Sequence, residues 1–410
     1  MTNRVRPWAL PAVCLIAGCV SIGFLFVDKK EREAKKKKAS NSKPNALGNK
    51  AGKALFDAVG NTPLIDIKSL SKLTNCKIYG KAEYMNPTFS LKDRAAKQMI
   101  LEAEEKGLLD PNNPKNCPVI EATGGNTGAS LAMLCASRGY PMTFVMPEKV
   151  SKEKIRAMQI SGAKVHVVPN ASFFDKEKHF FHVAESIKDT YNLEHSNKMT
   201  FLNQFDNQAN MRAHYQNTAP EIWEQTNGKI DGFVSVCGTG GMISGCSNFF
   251  KEKSDQIKVW LIDPVEIDGL SAYVNGASEA VERDGRGVVP TKGGSTIAEG
   301  IGVPLLSPNF KLARVDKGIT GSNQEIVTMA YHLLHNDGIF IGPSAALNVV
   351  GAYKMAKELG PGHTIVTTLC DSGERYMGKL YNATWLENQG ISIQNIEDIE
   401  TPVLGKIASI

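Results

Sequence analysis

Short apolar runs alternate with helix-length segments from about residue 64 to residue 370, and this alternation limits the fold more than any other feature of the chain. The runs at 64–67, 78–81, 118–121, 142–146, 164–168, 232–237, 259–262 and 364–370 read as strands. Helical patterns occupy 93–106, 127–138, 151–161, 208–226, a segment from 242, 323–335 and 344–358. Buried strands that alternate with helices build βαβ units, hence mainly parallel sheets covered by helices on both faces. In such sheets ligands gather outside the carboxyl ends of the strands. The loops there are the ones to inspect.

Composition narrows the class. Of 410 residues, 42% are hydrophobic and 22% charged, values of a globular chain. The net charge of +5 is concentrated at one end: residues 1–50 hold eleven Lys/Arg against Asp28, Glu31 and Glu33, so the remaining 360 residues carry a net −3. A basic footprint for nucleic acid is therefore not expected on the folded body. The eight cysteines (14, 19, 76, 117, 135, 237, 246 and 370) form no CxxC or Cys/His cluster, which points away from a zinc site or a disulfide framework.

Trp8 to Val27 is a twenty-residue run without a charge, flanked by Arg4 and Arg6 and then by a larger Lys/Arg cluster. That length suits a bilayer span, and the charge bias predicts a cytosol-facing body. The run continues past Cys19, which favours an uncleaved signal anchor over a secretory or lipoprotein signal. The expected location is the mitochondrial outer membrane, with the endoplasmic reticulum as the alternative. Residues 29–50 read as a basic linker.

Four loops carry chemistry. Asn86-Pro87-Thr88-Phe89-Ser90-Leu91-Lys92-Asp93-Arg94 brings one Lys to the mouth of a helix. The positive end of the helix dipole and partial burial both lower an amine's pKa, as a Schiff-base or nucleophilic Lys requires. On its own this segment reads better as a surface Lys starting an ordinary helix, with Asp93 as a favourable acid of its first turn. Thr123-Gly124-Gly125-Asn126-Thr127-Gly128 and Cys237-Gly238-Thr239-Gly240-Gly241-Met242 each join a strand to a helix. The second has three glycines that free N–H groups for an anion nest, and its spacing fits a phosphate monoester better than a dinucleotide or a nucleotide P-loop. Gly342-Pro343-Ser344 places Ser344 at a helix N-cap, where a plain capping role is the simpler reading.

A candidate Schiff-base Lys, a phosphate nest, an Asn loop and a lone Ser together fit pyridoxal 5′-phosphate. With Val59-Gly60-Asn61-Thr62-Pro63-Leu64, Asn203-Gln204-Phe205, Glu299-Gly300-Ile301-Gly302 and Asp371-Ser372-Gly373-Glu374-Arg375-Tyr376 in order, residues 55–385 resemble the cysteine synthase/cystathionine β-synthase family, of the tryptophan-synthase-β fold type. The resemblance implies two three-layer αβα domains with the cofactor in the cleft between them. Residues 51–86 and 209–390 would form the larger, 87–208 the smaller and mobile one, and 391–410 a tail. It also implies that Lys92 forms the internal aldimine, and that Gly238, Thr239, Gly240, Gly241 and Met242 bind the phosphate. Asn126 would meet the phenolic oxygen and Ser344 the pyridine nitrogen. Thr123, Gly124, Asn126, Thr127 and Gln204 would hold the substrate carboxylate.

A neutral Ser at the ring nitrogen makes the cofactor a mild electron sink, suited to β-elimination. The expected reaction makes L-cysteine from O-acetyl-L-serine and sulfide through an α-aminoacrylate, in a homodimer. Alternatives on this scaffold are cystathionine β-synthase, cysteine desulfhydrase or serine/threonine dehydratase activity, or a catalytically degenerate cofactor-binding protein. Gly124 stands where the family usually has Ser, and Met242 where many members have Thr. Ser244 is the candidate substitute for the lost phosphate contact.

Overall fold

The computed structural model describes residues 54–399 apart from Ser151 and Asp284. The expected anchor (8–27), the linker and residues 400–410 of the tail lie outside the described residues. No helix among the described residues is long and apolar enough to cross a membrane. The membrane-anchored location expected from the sequence is corrected on that finding and dropped.

In chain order the first half contains β1 (Leu64–Asp66), α1 (Lys68–Thr74), β2 (Lys77–Ala82), α2 (Lys92–Glu105), β3 (Val119–Ala122), α3 (Asn126–Arg138) and β4 (Met142–Pro147). These are followed by α4 (Lys152–Ile160), β5 (Lys164–Val168), α5 (Phe180–Glu194) and β6 (Thr200–Phe201). The second half contains α6 (Ala209–Ala213), α7 (Ala219–Gln225), β7 (Gly232–Ser235), α8 (Gly241–Lys253), β8 (Lys258–Pro264) and α9 (Leu270–Val274). After these come β9 (Val281–Arg283), β10 (Arg286–Val288), β11 (Lys317–Gly321), α10 (Asn323–Asp337), α11 (Pro343–Leu359), β12 (Thr364–Leu369) and α12 (Ala383–Asn388).

Two sheets result. One has six strands in the order β1-β2-β12-β7-β8-β11 and the other four in the order β5-β4-β3-β6. Every pairing in them is parallel except β1 with β2. In β3, neighbouring residues feed opposite cores. Val119 joins Leu131, Leu134 and Met99 on one face, and Ile120 joins Phe181 and Ala184 on the other. That is the period-two alternation of a strand buried on both sides. The larger sheet has its own core, in which Phe233, Ile262 and Ile365 meet Val349 and Met355 of α11. Phe56 and Val59 pack with the smaller sheet's core although they precede β1.

The expected helix over 208–226 is interrupted. His214–Thr218 forms a π-helical turn between α6 and α7, and the buried His214 ring bonds the Thr218 hydroxyl there. The Gly-rich, charged stretch 268–295 contains α9 and the antiparallel β9–β10 hairpin.

Because β2, β12 and β7 are adjacent and parallel, their carboxyl ends share one edge of the larger sheet. Those ends lead to Lys92, to Asp371 and to the 237–241 turn. The carboxyl end of β3 leads to Asn126.

Candidate active site

Lys92 opens α2, with Leu91 at the N-cap. The segment is fixed from several sides. Leu91 N–H donates to the Cys370 carbonyl (2.9 Å), and Ser90 and Asp371 form an antiparallel bridge. Phe89, at φ 60°, turns the chain just before the bridge. Asp93, expected as a favourable acid of the first turn, is instead buried and accepts hydrogen bonds from Thr88 N–H (2.7 Å) and the Ser130 hydroxyl. It thereby ties the Lys92 turn to α3.

No hydrogen-bond or ion-pair partner for the Lys92 amine is found among the described residues. Burial pushes its pKa below the usual value, while Cys370, Cys237 and Asp371 pull weakly the other way. The Cys370 thiol is itself pushed up to about 12 by burial, so it supplies no anion at neutral pH. The result is an amine biased toward its neutral, nucleophilic form.

The 237–241 turn joins β7 to α8, and its glycines leave no room for side chains at 240 and 241. Gly240 has φ +89°, and a β-carbon on it would lie 2.6 Å from the Phe310 backbone nitrogen. A β-carbon on Gly241 would lie 2.1 Å from Asn210 Oδ1. The turn therefore has to be glycine. Among the described residues no acceptor faces the backbone N–H of Gly238, Thr239, Gly240 or Gly241. These unspent donors at the start of α8 form a cradle for a phosphate-sized anion. The Thr239 hydroxyl accepts from Asn210 Nδ2 (2.8 Å). Met242 points into the larger core and contacts the Cys246 thiol, so only its backbone could serve the cradle. Ser244 is no substitute for the missing Thr, since its hydroxyl donates to the Asn309 carbonyl.

Asn126 is the first residue of α3. Its amide nitrogen donates to Asp371 Oδ2 (2.7 Å), and Arg375 donates to its Oδ1. The Thr127 hydroxyl donates to Gln204 Oε1 at 2.5 Å, and the Thr123 hydroxyl accepts from Gly125 N–H. Thr123, Thr127 and Gln204 are all buried. Gly124 lies against Val150, whose Cγ2 would be 2.6 Å from a β-carbon there.

Ser344 is not the N-cap. Gly342 holds that position without a side-chain bond, and Ser344 is the second residue of α11. Its hydroxyl lies near the Cys370 thiol. A polar side chain that does not cap its helix is free for another task, and here it lies beside the end of β12.

Sequence reasoning assigned no role to several groups that shape this site. Asp371 and Tyr376 are buried within a motif that was visible only as a familiar string. Glu121, at the end of β3, is fully buried, and burial raises its pKa to about 8. None of the three carries a strong local signal; for Glu121, a lone acid within an apolar strand looks much the same whether it is buried or exposed. For Glu121 the available clue was its place in a strand with no polar face.

Parallel sheets bearing a half-buried Lys whose amine has no partner among the described residues, together with a donor-rich glycine turn, suit a protein that holds a phosphorylated aldehyde cofactor, and the residues present fit that group. The family model described as "Pyridoxal-phosphate dependent enzyme" matches residues 55–371. The chain belongs to this family. It is 46% identical over 346 residues to a Dictyostelium discoideum protein named cysteine synthase, covering 84% of this chain and 88% of the relative. It is 37% identical to a protein of Apis mellifera named cystathionine beta-synthase, covering 82% of this chain and 62% of that one. Among solved structures, a hydrogen sulfide-producing enzyme from Fusobacterium nucleatum aligns with a TM-score of 0.65 at 31% identity, over 79% of this chain and 99% of that one.

Proposed function

We propose that this chain is a pyridoxal-phosphate-dependent cysteine synthase that replaces the β-substituent of O-acetyl-L-serine with sulfide. The observation that carries the reading is the unpaired, pKa-depressed amine of Lys92, on the same sheet edge as the unspent N–H groups of 238–241. The name of the Dictyostelium relative supports the choice of product.

In this reading Lys92 holds the cofactor's aldehyde carbon and then moves a proton at the substrate Cα. Gly238, Thr239, Gly240, Gly241 and the Met242 backbone would bind the phosphate. Asn126 would meet the phenolic oxygen and Ser344 the pyridine nitrogen. Thr123, Gly124, Asn126, Thr127 and Gln204 would hold the substrate carboxylate. The cofactor, when bound, supplies the electron sink that lets the β-substituent leave. We further infer a smaller mobile unit at 87–208, supported by the separate cores of the two sheets, and a homodimer, as the family resemblance implies. Light scattering and hydrogen exchange test these two points.

The test is an absorbance spectrum of the purified full chain, followed by product analysis. A visible cofactor band that shifts on adding O-acetylserine, with cysteine formed once sulfide is added, is the expected result. No visible band, with no difference between the parent and Lys92→Ala, overturns it. A second reading, cystathionine formation, is favoured by the honeybee relative's name. It predicts product from serine and homocysteine at a higher kcat/KM than from O-acetylserine and sulfide.

A further inference from the structure

Asn126 is held at both ends by one short segment. Its Nδ2 donates to Asp371 Oδ2 at 2.7 Å, and Arg375 Nη1 donates to its Oδ1. The same guanidinium donates through Nη2 to the Thr88 carbonyl, on the turn that leads to Lys92. The Tyr376 hydroxyl donates to Asp371 Oδ2 at 2.6 Å, which fixes the carboxyl from behind.

The chemistry of the partners decides the orientation of the amide. A guanidinium can only donate, so the amide oxygen must face Arg375. Asp371 Oδ2 already accepts from the Tyr376 hydroxyl and so serves as an acceptor, and the NH2 faces it. Turning the amide by 180° would set donor against donor and acceptor against acceptor. Of the two Nδ2 protons Asp371 takes one, and no acceptor among the described residues takes the other.

Asp371 also shows a cost that a purely structural residue would avoid. It is fully buried, yet its Oδ1 has no hydrogen-bond partner among the described residues. A buried oxygen left unpaired in this way calls for a reason beyond packing. Oδ1 lies beside Gly342, where a β-carbon would sit 2.3 Å from it, immediately before the helix that carries Ser344.

We propose that Asp371 and Arg375 are positioning residues that lock the Asn126 amide, so that one N–H remains to donate to an anionic oxygen of the bound cofactor. The proposal rests on the role given to Asn126 above. Without the lock the amide could rotate and present its carbonyl to that oxygen, where it repels. Asp371 and Arg375 then act only through Asn126.

The test is a double-mutant cycle on cofactor affinity. Pyridoxal phosphate is removed from the full chain and titrated back, with the visible band giving Kd and thermal melting of the apo form giving stability. Asp371→Ala, Arg375→Gln and Asn126→Ala should each raise Kd about tenfold, the size of one lost charge-assisted hydrogen bond. Each double variant with Asn126→Ala should bind within about twofold of Asn126→Ala alone. Arg375→Lys, which keeps a donor, should recover part of the loss. Multiplying effects in the doubles overturn the proposal while leaving the role of Asn126 standing. So do variants that lower only the apo melting temperature. Asn126→Ala binding as tightly as the parent overturns both. If Asp371→Ala does not fold, the Arg375 arm decides alone.

Discussion

A β-carbon placed on Gly124 would lie 2.6 Å from Cγ2 of Val150, so the Val150 side chain fills the space that a larger residue at 124 would need. The two positions are coupled. Gly124 is where the resembled family usually has Ser, and the hydroxyl is missing because its room is taken.

Gly124→Ser alone should therefore overpack the Asn loop at a cost of about 1–3 kcal/mol. It should raise KM for the amino-acid substrate as the loop shifts. Gly124→Ser with Val150→Ala should regain most of the stability and lower KM below that of the single variant. Steady-state kinetics and chemical denaturation check both. If Val150→Ala restores nothing, the two side chains are not coupled.

Lys92 gives a prediction about the apo protein. Its folded pKa is depressed by burial, so the unfolded chain binds a proton more tightly than the folded one. Stability should then rise with pH through the window between the depressed folded value and the ordinary value of 10.5, by up to about 1.4 kcal/mol per unit. Below that window the stabilisation is absent. Lys92→Met should flatten this slope and raise the apo melting temperature at neutral pH, while abolishing turnover. Melting temperature against pH, compared between parent and variant, is the measurement.

Most strands and helices of the two large sheets were legible in the sequence because their apolar residues recur at strand or helix spacing. β5 at 164–168 matches the expectation residue for residue, and α10, α11 and β12 match within two. α1, α5, β6, α9, β9, β10, β11 and α12 were missed: β6, β9 and β10 are only two or three residues long, and β11 carries Gly318, Thr320 and Gly321 in place of an apolar run. Site residues on glycine turns and at the start of a helix were legible because those backbone conformations demand particular residue types. What the sequence did not reveal is how polar side chains pair across the chain. Asn126 and Asp371 are 245 positions apart, and nothing local marks them as partners.

Glu121 predicts a pH effect of the opposite sign to that of Lys92. Burial raises its pKa from 4.5 to about 8, so the folded state holds a proton that the unfolded state releases. Stability should fall as pH rises from about 4.5 to about 8. Glu121→Gln keeps an oxygen for the Gln204 N–H, which donates to Glu121 Oε1 at 3.3 Å, and removes the ionisable group. It should melt higher than the parent at pH 8 and close to it at pH 5. A variant that melts lower at both values would show that the carboxyl is retained for its hydrogen bonds alone.

The buried ion cluster beneath the site gives the largest expected loss of stability. Arg94 and Glu83, both almost completely buried, pair at 2.6 Å, and Arg94 also reaches Glu221 at 2.7 Å and the Thr62 hydroxyl at 3.1 Å. Lys81, likewise buried, pairs with Glu221 at 2.7 Å. Arg94 lies two residues after Lys92, so the cluster also holds the start of α2 in register. Removing Glu83 leaves the buried Arg94 with Glu221 as its remaining carboxylate partner and its Nε without an acceptor, and Glu83→Ala should cost about 3 kcal/mol. Glu83→Gln, which keeps the acceptor for the Thr62 hydroxyl, should cost less. Replacing Glu83 and Arg94 together by Leu and Met should recover part of the loss, since no charge is then left unpaired. Urea denaturation of the three variants and the parent ranks them, and a double replacement less stable than Glu83→Ala would mean that the cluster stabilises the fold through its geometry rather than through charge balance.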